Sequence, residues 1–178
     1  MIRNVFTIDE CNEIINDGYN KEHVQKAKNK VIEYLQSKNI TVDQKYLRSM
    51  IHKSSTLDAK VWHYDDDSLV NFIVNIKGKG TQILDNENII ELQQGEGYMV
   101  IGEEGYKFLG ISPTLHCAPS CDDGRLILKI MLTANYNLSE YVFGEPVKSY
   151  DSPDYKNRSQ ELDAMLYKDL SITRLNSV

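Results

Sequence analysis

The sequence predicts an α+β fold: helices first, a small antiparallel β core, and one helix last. Three observations predict it. The first half carries amphipathic runs, and its freedom from breakers is clear: the four prolines are Pro113, Pro119, Pro146 and Pro153. From residue 59 the pattern changes to short β-branched and aromatic runs separated by Gly, Asn and acidic clusters. A last apolar stripe then closes a polar, Tyr-rich tail.

Thr7-Ile-Asp-Glu10 has the spacing of a capping box, and Cys11, Ile14 and Ile15 supply a short apolar face behind it. Residues 21–37 place Val24, Ala27, Val31, Ile32 and Leu35 three and four apart, which predicts an amphipathic helix. A third, shorter helix is expected over 42–52, with Val42, Tyr46, Leu47, Met50 and Ile51. Strands are expected at 59–65, 69–76, 81–84, 89–92, 98–101, 106–109 and 125–132, with turns at Gly78-Lys-Gly80, Asp85-Asn-Glu-Asn, Gly95-Glu-Gly97 and Glu103-Glu-Gly105. That spacing suits a sandwich or small barrel. A closing helix over 156–170 uses Leu162, Met165 and Leu166. The chain reads as one domain, 1–178: a helical buttress over 1–55, a β core over 59–134, and a tail with its helix over 135–178.

Composition excludes several classes. Lys and Arg number 20 against 26 Asp and Glu, a net charge of −6, so no basic face is available to displace phosphate counterions and no nucleic-acid partner is expected. No run approaches the ~20 apolar residues of a membrane span. The opening segment has Asp9, Glu10 and Glu13 where a secretory leader would be apolar, so the expected location is the cytoplasm. The three cysteines, Cys11, Cys117 and Cys121, form no disulfide framework. His116, Cys117 and Cys121 would make only one cluster of a closed zinc site, so reduced thiols are expected.

His63 and Asp65 are two apart, and alternate residues of a strand share a face. An imidazole and a carboxylate can therefore reach one ion, with His116 as a third donor. Two His and one carboxylate leave open positions, the arrangement of non-haem Fe(II) oxygenases. A packed histidine beside a solvated acidic loop, Asp65–Asp67, is the plainer alternative. Arg125 opens an apolar strand, where an unpaired buried charge is costly and a carboxylate ligand would satisfy it bidentately; an exposed strand end is the plainer alternative. Period two on this strand separates Arg125, Ile127, Lys129 and Met131, expected inward, from Leu126, Leu128, Ile130 and Leu132, expected to pack on the 21–37 helix.

The series His63-Tyr-Asp65, Gly80-Thr81, Gly95-Glu96-Gly97, Leu115-His116, Pro119 and Gly124-Arg125 resembles the Fe(II)/2-oxoglutarate-dependent dioxygenases, in particular the prolyl-hydroxylase-like branch, over about residues 60–132. The resemblance implies a double-stranded β-helix, a cupin-like or jelly-roll core, with N-terminal helices buttressing one sheet. It implies that His63, Asp65 and His116 hold Fe(II) and that Arg125 binds the distal carboxylate of 2-oxoglutarate. It further implies decarboxylation of 2-oxoglutarate to succinate and CO₂ coupled to hydroxylation, on an amino acid, peptide, protein side chain or small natural product. Ile127 departs from the Ser or Thr common two residues after the Arg. A core-strand Asn or Tyr often helps hold the cosubstrate, and Asn71, Asn75 and Tyr98 are the candidates.

Two other functions compete: a cupin-type metal-dependent dioxygenase or isomerase that does not use 2-oxoglutarate, and a non-catalytic ligand-binding barrel. The first predicts Arg125 outside the metal cavity, and the second predicts that the three donors do not converge. Trp62 and Tyr64 are expected to pack on the opposite face from His63. Asp66 and Asp67 are loop charges, one of which could neutralise a basic substrate group. Tyr136, Tyr141, Tyr150 and Tyr155 suit packing on the barrel, a substrate lid or a homodimer surface. His23 and His52 fall on expected helical segments and receive no chemistry.

Overall fold

The structure is a computed structural model. It describes residues 1–42, 44–54, 60–65, 68–119, 121 and 124–133. The expected 156–170 helix, the tail tyrosines, Asp66 and Asp67 lie outside the described residues.

Helix α1 spans Ile8–Asp17 and starts as its capping box predicts. Thr7 Oγ1 accepts from the Glu10 amide at 3.2 Å, and Glu10 Oε2 accepts from the Thr7 amide at 2.7 Å. Two orphan helix donors are thus satisfied reciprocally. Helix α2 spans Lys21–Ser37. Its cap was not legible: Asn20 Oδ1 accepts from the His23 amide at 2.9 Å, and His23 Nδ1 takes the position where a Glu usually sits, 3.3 Å from the Asn20 amide. His23 is buried edge-on against Phe6, with ring centroids 5.7 Å apart, so its role is structural.

Strands follow as β1 Arg48–Ser54, β2 Lys60–His63, β3 Ser68–Lys77, β4 Gln82–Asp85, β5 Asn88–Glu91, β6 Gly97–Ile101, β7 His116–Ala118 and β8 Arg125–Thr133, with helix α3, Glu103–Leu109, between β6 and β7. They form two four-stranded sheets, β1-β8-β3-β6 and β2-β7-β4-β5, paired antiparallel throughout.

Two expectations are corrected. The 42–52 segment is no α-helix: a 3₁₀ turn at Gln44–Tyr46 leads into β1. β1 pairs with β8 along its length, Met50 opposite Lys129, Ile51 opposite Leu128 and His52 opposite Ile127. Tertiary pairing overrides a local pattern that fits a short helix equally well. The β core therefore begins at residue 48 rather than 59. Residues 106–109 are the end of α3, not a strand. Gly102 caps this helix in extended conformation, Glu103 and Glu104 open it, and Gly110 ends it at φ 65°, in the left-handed region that favours glycine. Gly105 lies against the Leu69 carbonyl, where a Cβ would collide, so α3 can sit directly on β3.

The two faces of the first sheet hold different layers. Val70, Phe72, Val74 and Ile76 of β3, with Leu126, Leu128, Ile130 and Leu132 of β8, pack with Cys11, Ile14, Ala27, Val31 and Leu35 of the helices. Each fully buried side chain of this size contributes about 1.5–3 kcal/mol. The inner face meets the second sheet through a smaller cluster, Ile73, Ile83, Leu92, Val100 and Ile127. The alternation expected for β8 is the one observed.

Candidate metal centre

β2 and β7 run antiparallel with His63 and His116 as direct partners, so pairing alone juxtaposes the two imidazoles. Their ring centroids are 4.4 Å apart. Asp65 follows two residues after His63 but lies beyond the end of β2. The convergence of His63 and Asp65 thus depends on the path of the chain just past β2 as well as on strand alternation. Asp65 Oδ1 is 3.9 Å from His63 Nε2 and 3.7 Å from His116 Nε2. One donor atom from each of the three lies within 4.8 Å of the others, and no other group of this kind occurs among the described residues.

The protonation states suit a cation. Burial lowers the His116 pKa to about 4, a drop that the attraction of Asp65 only partly reverses. His116 is therefore neutral at pH 7. Its Nδ1 lies 3.1 Å from the Thr114 carbonyl, which can only accept, so Nδ1 carries the hydrogen and Nε2 keeps its lone pair toward Asp65. Burial raises the Asp65 pKa, but His116, a hydrogen bond from Asn71, Lys129 and His63 together hold it below the ordinary carboxylate value. A neutral imidazole beside an ionised carboxylate is what metal binding requires.

Arg125 opens β8 and is 6% exposed. It lines the same cavity as His63, Asp65 and His116, together with Thr81, Ile73, Ile127, Lys129 and His52. Its Nε and Nη1 have no hydrogen-bond partner among the described residues. Burial pulls its pKa down, partly offset by Cys117 and Cys121. A buried guanidinium with open donors is costly unless an anion completes it. Thr81 is 2% exposed, and its Oγ1 also has no partner.

The cosubstrate candidates from the core strands are otherwise engaged. Asn71 donates to Asp65 Oδ2 at 2.8 Å. Asn75 donates to the Gly78 and Leu92 carbonyls, each at 3.1 Å. Tyr98 borders a second cavity beside Asp85 and Tyr34. Thr81 was visible in the sequence only as part of Gly80-Thr81, and the structure adds its unpartnered hydroxyl. His52 was missed altogether, because its segment reads as helix while β1 turns it into the cavity. Cys117 and Cys121 are free, buried thiols and join no metal-ligating group among the described residues. Burial raises the Cys117 thiol to about 11, with Arg125 opposing and Glu91 adding.

No protein-family model matches the sequence, and no curated protein does. Solved structures do. The chain is similar to viral collagen prolyl hydroxylase from Paramecium bursaria Chlorella virus-1 in its 2OG complex, at 18% identity and TM-score 0.52, covering 75% of this chain and 94% of that one. A truncated form of the same enzyme matches at 19% identity and TM-score 0.52, over 75% and 89% of the two chains. The rice dioxygenase for auxin oxidation matches at 10% identity and TM-score 0.48, over 75% and 55%. The fold is thus shared with the viral 2OG-dependent oxygenase.

Proposed function

We propose that the chain is a double-stranded β-helix enzyme that uses Fe(II) and 2-oxoglutarate to hydroxylate an amino acid, peptide, protein side chain or small natural product. The carrying observation is Arg125: a buried guanidinium with two open N–H groups, in the cavity that also holds the His63, Asp65 and His116 donors. The three-donor set alone fits several divalent ions and chemistries. The added cation argues for an anionic cosubstrate that reaches from the ion to a deep anchor.

In this reading His63, Asp65 and His116 hold the iron. When bound, iron and 2-oxoglutarate would supply the oxidising chemistry with O₂ as the oxidant, one oxygen atom going to succinate as CO₂ leaves and the other into a substrate C–H bond. Arg125 fixes the distal carboxylate through its open donors, and Thr81 Oγ1 is available as a further donor. Ile73 and Ile127 give the cavity part of its apolar lining. A carboxylate at position 65 would leave no coordination site of the iron vacant for a halide, which favours hydroxylation. The Arg125 position speaks against the cupin-type alternative without 2-oxoglutarate, which needs no buried cation there.

The test is anaerobic addition of Fe(II) followed by titration with 2-oxoglutarate, read by the visible metal-to-ligand charge-transfer band. A saturable band supports the reading. Tight Fe(II) binding with no band and no 2-oxoglutarate binding favours the cupin-type alternative, and absence of metal binding defeats both.

A further inference from the structure

We infer that Asn71 is a positioning residue for Asp65: its amide occupies one carboxylate oxygen so that the other is presented to the two imidazoles. The inference rests on the metal-site reading above and deepens it.

Asn71 lies on β3 and is 2% exposed. Its Nδ2 donates to Asp65 Oδ2 at 2.8 Å. An ionised carboxylate only accepts, so chemistry fixes which end of the amide faces it. The other oxygen, Oδ1, is the one 3.7 Å from His116 Nε2 and 3.9 Å from His63 Nε2. The two oxygens of one side chain therefore have separate partners.

Asp65 needs such a hold. It lies past the end of β2, so no strand ladder orients it. Its main chain is tied down where its carbonyl accepts from the Glu103 amide at 3.0 Å, at the start of α3. Its side chain is tied down by Asn71. With Oδ2 held by Asn71, Oδ1 is the oxygen turned toward the two imidazoles.

A second observation separates positioning from packing. Asn71 Oδ1 is buried with no hydrogen-bond partner. The neighbouring buried positions of β3 are Leu69, Val70, Phe72 and Ile73. A residue serving the core alone would be apolar, as these are, and would leave no acceptor unsatisfied. The amide at position 71 is explained by the bond it donates. Partners that orient metal ligands act in this way, and their loss lowers metal affinity.

The experiment uses the full chain and Co(II) alone as the probe, titrated anaerobically into wild type and Asn71→Leu by calorimetry, with ligand-field spectra of the loaded proteins. Asn71→Leu is expected to melt close to wild type without metal, to bind Co(II) about 10- to 100-fold more weakly, and to show a changed spectrum. Should Asn71→Leu fail to fold, Asn71→Ala, which only removes atoms, goes through the same titration with the same expectation. Wild-type affinity and spectrum in a folded variant overturn the inference. So does an affinity loss that merely tracks a fall in melting temperature. A folded wild type that binds no Co(II) defeats the metal-site reading itself, a result distinct from failure at Asn71.

Discussion

Along β8, Leu126, Leu128, Ile130 and Leu132 face the helices, while Arg125, Ile127 and Lys129 face the cavity between the sheets. The outer side is an apolar layer shared with α1 and α2. Among the described residues, Arg125 Nε and Nη1 and Thr81 Oγ1 are buried polar atoms of the cavity lining without a hydrogen-bond partner, while Ser68 Oγ, Asn71 Oδ1 and Asn75 Oδ1 are others on β3 outside that lining. Under the proposed function, the difference puts stability on one face and chemistry on the other. Unsatisfied buried groups are rare in native proteins, and in that reading a ligand would complete those of Arg125 and Thr81.

The comparison is tested most severely at the donors themselves. His116→Ala is expected to abolish measurable Fe(II) binding, while the apolar outer layer keeps the fold. Calorimetry with Fe(II), paired with a melt of the metal-free protein, checks both halves. Retained wild-type affinity would break the assignment of chemistry to the inner face.

Leu128→Ala is the complementary change. Leu128 is fully buried in the helix-facing layer, and its truncation should cost about 2–5 kcal/mol in stability. Metal affinity of the folded fraction should not change. Denaturant unfolding and Fe(II) titration of the same preparation test this, and a loss of affinity in fully folded protein would show the two faces to be coupled.

Arg125→Met probes the sign of a buried charge. Removing the guanidinium should weaken 2-oxoglutarate by about 2–5 kcal/mol while leaving Fe(II) bound. It should also leave the ligand-free protein no less stable than wild type, because the charge removed has open donors. An isosteric apolar replacement thus spares the fold inside, whereas truncation harms it outside. A destabilised ligand-free Arg125→Met would mean that the guanidinium is already satisfied.

Much of this layout is legible in the sequence where the signal is local. The Thr7–Glu10 box, the 21–37 stripe and the strict alternation from Arg125 to Leu132 depend on neighbours a few residues apart, and each is realised. Misreadings occur where a distant partner decides. Arg48–Ser54 is a strand because β8 lies beside it, and only that pairing turns His52 inward. Tyr106, Phe108 and Leu109 read as strand residues, yet Gly102, Gly105 and Gly110 permit a short helix seated on β3. At the site, His63, Asp65, His116 and Arg125 could be named from their types and order. That Asn71 bonds Asp65 rather than a cosubstrate could not, because the contact joins a turn to the strand after it through a side-chain direction that no spacing rule fixes.

The smallest expected effect lies farthest from the cavity, where polar groups are satisfied and water can replace what is removed. Lys26 Nζ bonds both Glu10 carboxylate oxygens at 2.8 Å, tying α2 to the cap of α1, and lies 5.6 Å from the centre of the Phe6 ring. Burial raises the Glu10 pKa, but the bonds and charge of Lys26 and the bonds of Thr7 together outweigh it and hold the carboxyl below its ordinary 4.5. A depressed carboxylate means that the unfolded chain binds more protons than the folded one between the two values. The stabilisation is therefore complete above the ordinary value and fades as the pH falls through the lower, folded one. Both side chains are partly exposed, so screening keeps the contribution below about 1 kcal/mol. Lys26→Met, which keeps the apolar stem over Phe6, should lose that much or less at pH 7 and nothing at pH 2–3 (about two units below a free carboxylate). Unfolding curves of the variant and wild type at the two pH values decide it. A loss as large at low pH as at neutral pH would show that Lys26 acts through its ammonium over the Phe6 ring rather than through Glu10.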